Sequence, residues 1–66
     1  MQIQLNGEPM ELDDGSTIYG LLEKLELTQG RLAVEVNSEI VPRSQHTSTE
    51  LKAGDRVEIV QAIGGG

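Results

Sequence analysis

The 66-residue chain has no cysteine, tryptophan or phenylalanine, and only one tyrosine. Without cysteine there are no disulfides, no thiolate metal ligands and no cysteine nucleophile, so non-covalent contacts must hold the fold. With Tyr19 as its only aromatic residue, the chain lacks the platforms on which single-stranded bases stack. Positive charge is also scarce: five Lys and Arg against eleven Asp and Glu give a net charge of −6, which repels nucleic-acid backbones and anionic headgroups. The expected partners therefore include neither nucleic acid nor membrane. The acid excess serves solubility or steers the chain toward a basic protein. No apolar run approaches the roughly 20 residues of a membrane span, and the opening MQIQLNGEP has neither the basic head nor the apolar stretch of a signal peptide. A cytoplasmic protein is expected.

A chain this short builds one small domain, with nearly every apolar residue needed for its core and no room for a large enclosed cleft. Met1, Ile3 and Leu5 alternate with Gln2 and Gln4, the period-two signature of a half-buried strand. Asn6-Gly7 follows, a dipeptide suited to a tight hairpin turn, and Met10 and Leu12 resume the alternation. Pro9 cannot donate a ladder hydrogen bond, so the second strand is an edge or begins after it. Asp13 to Thr17 have turn chemistry, with Ser16 or Thr17 as a helix cap. Ile18, Leu21, Leu22 and Leu25 then recur at helical spacing, with Glu23, Lys24 and Glu26 on the other side. Gly30 lies in the turn after this helix. Leu32, Val34 and Val36 predict a third strand, Asn37-Ser38 a turn, and Ile40-Val41 a short fourth strand ended by Pro42. Residues 43–50 read as a loop or a single surface helical turn, anchored by Leu51. After a turn at Gly54-Asp55, a last strand runs through Gln61, with Val57 and Ile59 on one face and Glu58 and Val60 on the other. This order argues for an α+β fold, a mixed sheet with one main helix packed across one face.

Catalytic chemistry is hard to place. His46, the only histidine, stands in a polar stretch without a nucleophile motif and reads as a surface residue without a catalytic role. Asp13-Asp14 fits turn chemistry and the positive end of the following helix. No zinc spacing or calcium loop occurs, so no metal is expected. Gly64-Gly65-Gly66 cannot be a phosphate-cradling loop, because no helix follows to supply its amides. What three side-chain-free residues can form is a thin thread reaching roughly 10 Å beyond a sheet. A free carboxylate at its tip could enter a narrow channel in another protein and be activated there by acyl-adenylate formation. The alternative is a frayed terminus with no task.

The segments LNGEPMEL, GSTIYGLLEKL, VNSEIVPR, LKAGDRVEIVQAI and the final GGG together resemble the ThiS family of sulfur carrier proteins over the whole chain. The resemblance implies a ubiquitin-like β-grasp domain over 1–63 and a flexible glycine tail over 64–66. It also implies a carrier rather than an enzyme, with no cofactor of its own. In this reading the Gly66 carboxylate is adenylated by a partner of the ubiquitin-activating type (ThiF-like), which binds the ATP. Sulfur from a persulfide donor protein then replaces the adenylate as a thiocarboxylate, and a thiazole synthase (ThiG-like) takes it into the thiazole ring of thiamine. Gly65 matches the other half of the family's diglycine. Gly64 stands where alanine or another small residue is common, and His46 where tryptophan is common. The alternatives are a small subunit resembling that of molybdopterin synthase, a protein modifier joined to lysines, and an interaction module with an idle tail.

A carrier must also present a surface beside its tail. Val60, Ala62 and Ile63 are apolar where the last strand leaves the core, and are expected at the partner interface unless Val60 and Ile63 simply finish the sheet. Glu58 would add complementarity to a basic partner. Arg43, which matches the family's VPR segment, is a surface residue or a partner contact.

Overall fold

The computed structural model describes residues 1–61. Strands β1 (Gln2–Leu5) and β2 (Glu8–Glu11) pair antiparallel, with Gln2 opposite Glu11 and Leu5 opposite Glu8. Between them Asn6 and Gly7 have φ of 49° and 85°, the positive pair needed by a two-residue turn that follows strand twist. Pro9 stands opposite Gln4 within β2, which is an edge strand. Its missing N–H therefore costs no bond on the outer side.

Of the two possible caps for helix α1 (Ile18–Lys24), the structure uses Thr17, whose Oγ1 accepts the Gly20 N–H at 3.0 Å. The Ser16 hydroxyl instead donates to the Asp13 carbonyl at 2.7 Å and closes the preceding turn. Ile18, Leu21 and Leu22 are buried, whereas Leu25 is the C-cap and packs half-buried against the core. The helix stops there because the chain enters the left-handed region at Glu26, with φ of 60°. Leu27 N–H then donates to Leu22 O at 2.8 Å and Glu26 N–H to Glu23 O at 3.0 Å. These are the two bonds of a Schellman C-cap, here built on a glutamate where glycine is usual.

Strands β3 (Leu32–Val36) and β4 (Glu39–Ile40) are joined by Asn37 and Ser38, both at positive φ. Strand β5 (Arg56–Gln61) completes a sheet of order β2-β1-β5-β3-β4, in which β1 and β5 run parallel and the other pairs antiparallel. The last strand thus lies at the centre. The helix covers one face, and Ile3, Leu12, Ile18, Leu21, Leu22, Val34, Leu51 and Val57 form the core between them. This is the mixed sheet with one crossing helix expected of a β-grasp.

The segment before β5 folds closer to the body than its polarity suggests. A short 3-10 turn (Arg43–Gln45) follows Pro42. Leu51 is buried as expected, and its N–H donates to Ser16 O at 2.8 Å, while Ile18 N–H donates to Thr49 O at 3.1 Å. His46 corrects the surface reading, being only 5% exposed. The 3-10 turn brings its ring against the Val41 carbonyl, 3.0 Å from Nε2. A carbonyl can only accept, so Nε2 carries the proton, and the ring is buried without leaving that polar atom unpaired.

Candidate functional site

The strand leading to the C-terminal glycines is held from both sides. Toward β3, its pairing runs from Val57 opposite Val36 to Gln61 opposite Leu32. Toward β1, Gln4 N–H donates to Asp55 O and Asn6 N–H to Val57 O, both at 2.9 Å. One pair further on, the Ile59 N–H donates to Asn6 Oδ1 at 2.9 Å, and Asn6 Nδ2 donates to Ile59 O at 3.4 Å. The expectations for Ala62, Ile63, Gly64, Gly65 and Gly66 fall outside the described residues.

Alternation along β5 turns Val57 and Ile59 toward the helix and leaves Glu58 and Val60 on the open face of the sheet. Val60 is 63% exposed, so it does not finish the core. It stands opposite Ala33, and Glu58 stands opposite Glu35, which is in turn opposite Ile40. Ile40 is 71% exposed. The open face therefore carries Ala33, Ile40 and Val60 with two acids between them; Ala33 and Val60 lie near the end of β5, and Ile40 is level with Glu58. Sequence reading picked out Val60 and Glu58 but missed Ala33 and Ile40 as their companions. Alternation could have placed Ala33 outward on β3, but Ile40 sits in a two-residue strand whose facing depends on register.

Arg43 is not part of that face. It lines a cavity of about 170 Å³ together with Tyr19, Leu22, Leu27, Leu32 and His46, on the helix side of the sheet. Among the described residues, no group of three or more His, Asp or Glu side chains could hold a metal, and no helix is long and apolar enough to cross a membrane.

The ThiS family model matches residues 3–66. The chain belongs to the ThiS family, the sulfur carriers of thiamine biosynthesis. It is 38% identical over 66 residues to the sulfur carrier protein ThiS of Escherichia coli K12, with 100% of each chain covered. The crystal structure of the thiamine biosynthesis protein ThiS from Geobacter metallireducens superposes with a TM-score of 0.84 at 33% identity, again covering 100% of both chains. That likeness bears out the β-grasp expectation. A thiazole synthase of Magnetococcus marinus is 41% identical over 66 residues, and the chain spans 20% of that protein's length. A ThiS-like segment thus occurs within a protein named for the thiazole-forming step.

Proposed function

We propose that this chain carries sulfur as a thiocarboxylate on Gly66, as a substrate of other enzymes rather than a catalyst. The observation that carries the reading is the central placement of β5. The strand is paired to β3 as far as Gln61 and bonded to Asn6 at Ile59, exposed Val60 lies beside it, and the glycines follow it in sequence. A carboxylate is a poor electrophile. An adenylating partner of the ubiquitin-activating type makes it a good one by joining a carboxylate oxygen to the α-phosphorus of ATP and releasing pyrophosphate. The terminal sulfur of a protein persulfide then attacks the acyl carbon as the bond to AMP breaks. A thiol reduces the resulting acyl disulfide, leaving the thiocarboxylate and a new disulfide.

The thiocarboxylate anion is a soft nucleophile, suited to handing sulfur to a carbon electrophile in a thiazole synthase. The Magnetococcus protein supports that acceptor, since one polypeptide named thiazole synthase includes a stretch like this whole chain. ATP belongs to the activating partner, and the chain works in the cytoplasm without a cofactor of its own. Glycines at 64, 65 and 66 let the terminus enter a channel that any side chain would obstruct. Ordering such a tether costs about 1 to 2 kcal/mol per residue. Docking of the open face offsets that cost.

The test is complementation. A strain lacking the chain should regain growth with thiazole or thiamine, and the intact gene should restore it where one lacking the Gly66 codon does not. Loss of molybdoenzyme activity with no thiamine requirement would overturn the proposal.

A further inference from the structure

The two flanks of β5 are bonded by different means. Against β3 the ladder is backbone to backbone as far as Gln61. Against β1, backbone pairing ends at Leu5 opposite Val57, because the chain turns away at Asn6-Gly7 to form the hairpin. The N–H and C=O of Ile59 point to that side, where no backbone remains to meet them. The Asn6 carboxamide takes the vacant place, accepting from Ile59 N–H at 2.9 Å and donating to Ile59 O at 3.4 Å. With φ of 49° at Asn6 the backbone turns off into the hairpin while the side chain reaches onward past the end of β1, and the Asn6 N–H still donates to Val57 O at 2.9 Å. One side-chain amide acts as an extra peptide of β1, at the point where β5 is about to hand over to the C-terminal segment.

We infer that Asn6 is a positioning residue for the sulfur-carrying terminus: by clamping Ile59 it restricts the directions in which the chain beyond β5 leaves the body. This rests on the thiocarboxylate reading above. Glycine offers the same turn without the clamp, since it adopts positive φ freely; the hairpin alone therefore does not require asparagine. A clamped exit lowers the entropy lost when the terminus is threaded into an activating enzyme. The clamp therefore acts on how readily the carrier binds and not on the chemical step.

The test uses the full-length chain with its adenylating enzyme and ATP, reading pyrophosphate release against carrier concentration, together with amide exchange at Ile59 and denaturant stability. Asn6→Gly should speed exchange at Ile59 and raise KM for the carrier by about three- to tenfold, the scale of one or two net hydrogen bonds, with kcat unchanged. Asn6→Asp, which keeps the acceptor of the 2.9 Å bond, should fall between Asn6→Gly and the unaltered chain and guards against a folding defect in the glycine variant. An unchanged KM despite faster Ile59 exchange, unchanged exchange, or a fall in kcat at constant KM would each overturn the inference. No pyrophosphate release from the unaltered chain would instead overturn the carrier reading.

Discussion

Glu35 and Glu58 stand directly opposite each other on adjacent strands of the open face, and neither forms an ion pair among the described residues. Like charges in that relationship destabilise a sheet by a fraction of a kcal/mol. Placed beside exposed Ile40 and Val60, the pair gives this face a negative charge suited to a basic partner surface. Glu58→Lys should turn the repulsion into a cross-strand attraction and stabilise the chain by about 0.5 kcal/mol. It should also slow association with the adenylating enzyme and make the on-rate less sensitive to salt. Denaturant unfolding and stopped-flow binding at two ionic strengths would check both.

Val60→Asp separates docking from folding in another way. The side chain is 63% exposed, so stability should fall by only about 1 kcal/mol, the span of strand propensity, with the chain still folded. Partner binding should weaken by about tenfold or more, as expected of an apolar residue at an interface centre. Titration calorimetry with the adenylating enzyme measures the effect.

Glu26, the residue after the Leu25 C-cap of α1, is left-handed at φ 60°, a conformation that costs an L-residue about 1 to 2 kcal/mol. Glu26→Gly should keep both Schellman bonds and raise stability by about 0.5 to 1 kcal/mol, after allowing for the greater entropy that glycine loses on folding. The midpoint of urea unfolding reports this, and sulfur loading should be unaffected.

His46→Ala should cost about 1 to 3 kcal/mol, because it strands the Val41 carbonyl and enlarges the neighbouring cavity. A surface histidine would cost within about 0.5 kcal/mol, so thermal unfolding distinguishes the buried ring from a solvated one. His46 lies off the open face, so the KM for the activating enzyme should stay near that of the unaltered chain.

Most of the fold was legible because short-range signals agree with one another. Asn6-Gly7 gave the hairpin, the Ile18-Leu21-Leu22 spacing the helix, and the alternation of Val57 to Gln61 the last strand. Long-range consequences were not legible. His46 looked exposed because its neighbours are polar, yet one backbone carbonyl brought near by a 3-10 turn was enough to bury it. Asn6 reads locally as a turn residue, and its reach to Ile59 across 53 positions follows only once β1 and β5 are known to be parallel neighbours. The facing of Ile40 likewise depends on the register of a strand too short to show alternation. Val60 and Glu58 were readable as surface residues of a strand end, whereas Arg43 could not be separated from them without knowing on which side of the sheet its turn packs.

The central claim is that sulfur is carried at the final residue. After reaction with the adenylating enzyme, ATP and a persulfide donor, top-down fragmentation of the intact chain locates any mass gain. A single oxygen-to-sulfur exchange confined to C-terminal fragments containing Gly66 is the result expected. A gain that maps within residues 1–61, or a chain of unaltered mass, would contradict it.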